Sequence, residues 1–151
     1  MRKRKNEIGP LEILIPLYLI AMSGRQFRGR TRLQKLVFLA QKKLKDAIDF
    51  EFAPAEWGPL SYKLYQATEK LRSLRMLKET TESTPSGKTV ICFQVTDEGK
   101  KFIDFALAGH LLPTNVKRAI EAVQIEYGSL PVVNLVGLVH EKYPDYVDSH
   151  D

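Results

Sequence analysis

Apolar residues recur every three or four positions from Leu11 to Met22, and Leu11, Leu14, Ile15, Tyr18, Leu19 and Met22 share one face of a helix. Pro10 suits the first turn of that helix, Pro16 is expected to bend or delay it, and Gly24 ends it. A basic loop follows, from Arg25 to Arg30. A second stripe of Leu33, Leu36, Val37, Ala40 and Leu44 defines a helix expected to begin at Thr31. Thr31-Arg32-Leu33-Gln34 has the form of a capping box, with Thr31 as N-cap and Gln34 reaching back. Lys35, Lys42 and Lys45 fall opposite the stripe. Phe38 and Leu39 lie outside it, so other elements are expected to cover this helix on more than one side.

Phe50-Glu51-Phe52 alternates as a short strand does, and Pro54 and Gly58-Pro59 mark loop chemistry. A third helix is expected over 60–74, with Leu60, Leu64, Ala67, Leu71 and Leu74 as its apolar face. Residues 76–82 and 88–95 read as two strands around the turn-forming Ser83-Thr84-Pro85-Ser86-Gly87. Thr96 caps a fourth helix that ends near Gly109. Pro113-Thr114 opens a fifth toward Tyr127, and a sixth runs from Ser129-Pro131 to just before Pro144. The fold class that follows is mainly α with a small β-hairpin. A winged helix-turn-helix domain occupies residues 1–112, with a basic N-terminal arm. A C-terminal helical pair, 113–151, either packs on that domain or pairs two copies of the chain; its Val132, Val133, Leu135, Val136 and Val139 supply an apolar surface for either purpose.

Charge adds a second layer. The formal charge is +5, but residues 1–101 hold 20 Lys/Arg against 11 Asp/Glu, whereas residues 102–151 hold 3 against 7. A basic body with an acidic tail region suits a polyanionic partner. Cys92 is the only cysteine, which excludes an intramolecular disulfide and a cysteine-based zinc site and fits a cytoplasmic, reducing setting. Arg2-Lys3-Arg4-Lys5 ahead of an apolar run has the outline of a secretory leader. Glu12 and Pro16 interrupt the run, and it is shorter than the ~20 residues a bilayer needs, so a buried first helix is the expectation and no membrane partner is assigned.

Catalytic patterns are missing. Gly24 to Gly29 has the spacing of a phosphate loop, but Arg30-Thr31 stands where Lys-Ser/Thr is required. His110, His140 and His150 have no metal-ligand spacing, Cys92 has no nearby histidine, and Asp97-Glu98 complements a helix N-terminus. No enzyme, cofactor or metal is assigned.

The basic groups do gather where a winged helix meets DNA. Arg25, Arg28, Arg30 and Arg32 surround the start of the second helix, Lys88 flanks the wing tip, and these five are the expected phosphate contacts. Opposite its core stripe the third helix presents Tyr62, Tyr65, Gln66, Glu69 and Ser73, with Lys63 at an edge. Tyr62, Lys63, Tyr65 and Gln66 are therefore the candidate groove and base contacts. That face has no central arginine or lysine and it carries Glu69, and two tyrosines beside a glutamine equally suit a protein interface.

Gly29 to Gln41, GRTRLQKLVFLAQ, followed by Phe50 to Ser61, FEFAPAEWGPLS, resembles the Panacea family of antitoxin-like domains, which includes SocA-type proteolytic adaptors. It is similar also to the YwgA-like winged-helix proteins of prokaryotes, through the same segments and through FQVTDEGKKFI (Phe93 to Ile103) and LVHEKYPDYVDS (Leu138 to Ser149). The resemblance implies a winged-helix fold and two functions. The first expectation is a DNA-binding transcriptional regulator acting on double-stranded DNA. The alternative is an antitoxin or adaptor module that grips a toxin-like protein. One departure bears on the choice: residues 46–59 separate the second and third helices, where a turn of ~3–4 residues is usual. Within that connection Gly58 supplies an unusual backbone angle, Pro59 sets the following turn, and Trp57 is expected to bury its ring against the second helix.

Overall fold

The computed structural model describes residues 8–24 and 26–148; Arg25, the basic cluster at 2–5 and residues 149–151 lie outside the described residues. Helix α1 (Pro10–Met22) is continuous through Pro16, which sits buried inside it, so Pro16 does not delay its start. Its apolar residues do not keep to one stripe. Leu14, Ile15, Leu17, Leu19 and Ile20 are all buried, so α1 is the central rod of the core and is covered on several sides.

Strand β1 (Phe27–Arg28) lies within the stretch expected to be loop. Two residues are too short for alternation to show in sequence; pairing with a distant strand creates it. Helix α2 (Arg30–Lys43) begins one residue before Thr31, with Gly29 as its N-cap at φ +98°. The expected capping box is therefore not formed, and no side chain caps this helix end. The expectation that α2 is covered on several sides holds: Phe38 and Leu39 are buried with the main stripe. Phe38 stacks edge-on against Phe52, Tyr143 and Tyr146 at 4.8–5.2 Å.

Buried polar side chains of α2 organise the long connection that follows. Gln34 accepts from the Ser61 backbone N–H at 2.8 Å and donates to the Ser61 carbonyl at 3.0 Å. Gln41 accepts from Phe50 N–H at 2.9 Å and donates to Asp46 at 3.0 Å. Lys35, expected on the face opposite the core stripe, is 2% exposed and donates to the Pro59 carbonyl at 3.0 Å. Phe50-Glu51-Phe52 is consequently not a strand. Ala53 and Leu60 instead close a small loop through reciprocal backbone bonds of 3.0 Å. Helix α3 (Tyr62–Ser73) starts where this loop delivers it, and buried Ser61 caps it by accepting from Leu64 N–H at 3.0 Å. Leu64, Ala67 and Leu71 are fully buried, whereas Leu60 and Leu74, the outer members of the expected stripe, fall beyond the helix ends and are exposed.

Strands β2 (Leu77–Ser83) and β3 (Thr89–Val95) form the hairpin, from Leu77 opposite Val95 to Ser83 opposite Thr89. Gly87 at φ +84° turns the tip. β1 adds to the other side of β3, giving the antiparallel order β1-β3-β2. The order α1-β1-α2-α3-β2-β3 is that of a winged helix-turn-helix. Helix α4 (Asp97–Ala108) is capped by Thr96, whose hydroxyl accepts from Gly99 N–H at 3.1 Å. Helices α5 (Thr114–Tyr127) and α6 (Val132–Lys142) send Val116, Ile120, Val123, Leu135 and Val139 into the same core as α1 and α2. Of the expected α6 surface, Val132 and Val133 are exposed while Leu135 and Val139 are spent on that core. Asp148 N–H donates to the Ala55 carbonyl at 2.9 Å, so the end of the described chain ties down the 46–61 connection from outside.

Gln34→Ala leaves the buried Ser61 N–H without its acceptor, while the Ser61 carbonyl keeps the Tyr65 N–H at 3.3 Å. The expected loss in a urea titration is about 1–3 kcal/mol, the cost of one unsatisfied buried group. A loss under ~0.5 kcal/mol would show that the Gln34–Ser61 pair is dispensable.

Candidate docking groove

The 46–61 connection and the outer face of α3 enclose a groove of about 590 Å³ whose walls include Trp57, Leu60, Tyr62 and Tyr65 and whose floor includes Gln34 and Lys35. Trp57 does not bury its ring against α2 as expected; it is 63% exposed. The reason lies in the neighbouring glycine. Gly58 adopts φ +102°, and a Cβ there would stand 3.3 Å from Lys35 Cε and 3.4 Å from His140 Nε2. The space beside α2 is thus filled by the stems of Lys35 and His140, and the indole is left on the rim. Tyr62 is 71% exposed and stacks on Tyr65 with ring centroids 6.0 Å apart, while the Arg30 guanidinium lies 5.2 Å over the Tyr65 ring. Two aromatic rings and an indole beside Leu60 form an apolar patch of the kind that marks interaction sites.

Burial alone holds the Lys35 amine well down, at about 8, because no carboxylate lies within ion-pair reach of it among the described residues. Lys35, with one of its three N–H donors engaged by Pro59, is the charged floor group with unspent hydrogen-bonding capacity. His140 Nε2 is buried and has no hydrogen-bond partner.

A second groove, of about 760 Å³, lies between the wing and the start of α6 and shares Arg30, Thr31 and Trp57 with the first. It gathers Arg28, Arg30, Arg32 and Lys88, four of the expected phosphate contacts, against Val132 and Val133. Three of the four already have partners inside the protein. Arg28 pairs with Glu82 at 3.1 Å, Arg30 pairs with Glu79 at 2.9 Å, and Arg32 donates to the Gly128 carbonyl at 3.1 Å. Burial first, and then the adjacent Arg28 charge, press the Arg32 pKa down. Lys88 is exposed at the wing tip. Arg72 of α3 is held between Glu69 and Glu79 at 3.0 and 3.1 Å.

The candidate base contacts separate. Tyr62 and Tyr65 share the first groove, and Gln66 is half-buried one turn on. Lys63 is not at a groove edge; it turns inward between Glu12 of α1 and Glu51, each at 3.6 Å. Lys35 is a site residue that sequence reasoning does not single out. Its signal is the Gln34-Lys35 polar pair inside Leu33-Gln34-Lys35-Leu36-Val37, on a helix that is covered all round.

Among the described residues no group of three or more His, Cys, Asp or Glu side chains is placed to hold a metal ion, and no single helix is long and apolar enough to cross a membrane. The fold and the grooves define a winged-helix chain with an exposed aromatic face. No protein-family model matches this sequence, and no curated protein matches it.

Two measurements follow from this geometry. Trp57→Ala should change folding stability by less than ~0.5 kcal/mol, as expected of an exposed side chain, whereas a ring packed in the core would cost ~3–5 kcal/mol. For Lys35 the folded pKa, about 8, lies below the ordinary lysine value. The unfolded chain therefore binds more protons between the two values, and folding gains stability as pH rises from about 8 toward 10.5. Wild type should gain melting temperature relative to Lys35→Met between about pH 7 and about pH 10. A pH-independent difference between the two proteins would rule this out.

Proposed function

We propose that this winged-helix protein is a protein-binding module that grips a partner through the groove between α2 and α3. The observation that carries the reading is the exposure of Trp57, Leu60, Tyr62 and Tyr65 together on one rim. Large aromatic side chains held rigidly and half out of water are the commonest interface anchors. The position usually occupied by a DNA-reading surface is here apolar at its centre. Its cations are matched by Glu79 and Glu82 on the wing and Glu69 on α3. Antitoxin-like or adaptor-like gripping of a partner protein suits such a face, and the resemblance to the Panacea family points the same way.

A second reading, DNA binding by a transcriptional regulator, is favoured by the basic groove that brings Arg28, Arg30, Arg32 and Lys88 together beside the uncapped start of α2. In that reading phosphate contacts dominate and base reading is limited to Tyr62, Tyr65 and Gln66.

A photoreactive phenylalanine analogue placed at position 62 or 65, in cells of the source organism, separates the two. A discrete protein adduct that Trp57→Ala abolishes is expected. A titration of mixed-sequence duplex at several salt concentrations completes the comparison. A DNA affinity that falls steeply with salt and collapses in Arg30→Ala/Lys88→Ala, together with no protein adduct, would replace the first reading by the second.

A further inference from the structure

We propose that the groove between α2 and α3 receives a peptide segment bearing a large apolar side chain next to a carboxylate, and that the carboxylate pairs with the Lys35 ammonium. The inference rests on the protein-binding reading and names the chemistry of the partner.

Lys35 carries it. The side chain is almost wholly removed from solvent on the floor of a groove with apolar walls, yet no carboxylate among the described residues faces it. A buried ammonium normally has a counter-charge, because desolvation without one is costly. The single acceptor it has, the Pro59 carbonyl, leaves two N–H donors unspent. The neighbouring cation cannot take the role as readily, since Arg30 is held by Glu79 and stacked on Tyr65. His140 converges on the same place. Its buried, unpartnered Nε2 would stand 3.4 Å from a Cβ at Gly58, where the Lys35 Cε would stand 3.3 Å away. Around the groove the other titratable groups are Glu56, Tyr62 and Tyr65 on the walls, and of these only Glu56 is acidic. It is exposed, and burial is the sole cause acting on the Lys35 pKa, so Glu56 does not neutralise the floor. Charge complementarity therefore selects an acidic group, and the aromatic walls select an apolar side chain beside it.

The probe is a displayed library of short random peptides selected on the full chain. Selected peptides should be enriched in Asp or Glu adjacent to a Leu, Met, Phe or Trp. For the tightest peptide, replacing the acid by its amide isostere should weaken binding to wild type about 10–100-fold in a calorimetric titration. Lys35→Met should bind acid and amide forms alike. Affinity for the acidic form should decline as pH rises past about 8, as the Lys35 ammonium loses its proton. The isostere comparison is made on wild type, so it stands even where Lys35→Met does not fold. Peptides that lose binding in Trp57→Ala but bind equally as acid and amide would overturn the carboxylate inference and leave the docking reading in place. Recovery of no peptide whose binding depends on Trp57 would overturn the docking reading itself.

Discussion

The two hydrogen bonds between the Gln34 amide and the Ser61 backbone are the constraint on which the rest of the molecule depends. A winged helix ordinarily turns from its second to its third helix in a few residues, and the relative pose of the two follows from the short turn. Here residues 44–61 intervene, and a connection of that length has no intrinsic reason to deliver α3 anywhere in particular. The polar side chains of α2 supply the reason. Gln41 anchors the beginning of the connection at Phe50, Lys35 anchors Pro59, and Gln34 anchors Ser61, which in turn caps α3. Each bond is made in a buried environment, where an unmade bond is far more costly than a made one is favourable. The helix is thereby placed by the penalty on every alternative.

That placement makes the groove. Because the connection passes over α2 at Gly58-Pro59 and not as a tight turn, a wall of loop stands opposite the tyrosines of α3. The space beneath Gly58 is already occupied by Lys35 and His140, so Trp57 is pushed outward. An apolar rim over a cationic floor results from three local necessities: a positive-φ glycine, a buried lysine without an acid, and a loop anchored at both ends.

Magnitudes decide how the arginines should be weighed. Exposed ion pairs such as Arg28–Glu82 and Arg30–Glu79 are worth only ~0–1 kcal/mol, so a phosphate could displace the carboxylates locally. The carboxylates would nevertheless remain on the same face and oppose a polyanion, whereas the aromatic rim carries no such conflict. The charge excess of residues 1–101, read as a whole, points to nucleic acid. Among the described residues, Arg28 and Arg30 are matched by carboxylates at the wing, Lys63 turns inward and Lys35 is buried.

Much of this protein is legible in its amino-acid sequence. Helix periodicity locates the six α-helices of the described residues to within a few residues, the Ser83–Gly87 cluster locates the wing, and together they specify the winged-helix class; local propensity and 3.6-residue spacing are properties of neighbouring residues, so a linear reading reaches them. Tyr62 and Tyr65 stand out as the exposed face of α3 for the same reason. The chain alone does not show the interactions that join distant segments: the pairing of β1 with β3, the turn of Gln34 from an apparent capping partner into a clamp on Ser61, the burial of Lys35 and the exposure of Trp57. A lysine between apolar neighbours on a helix reads as solvated until a loop from further along the chain covers it, and a tryptophan reads as core until a glycine's neighbours have already filled the core. Sequence determined which elements form; the tertiary structure decided which polar groups are buried and which aromatic groups are not, because burial depends on what packs from elsewhere in the chain.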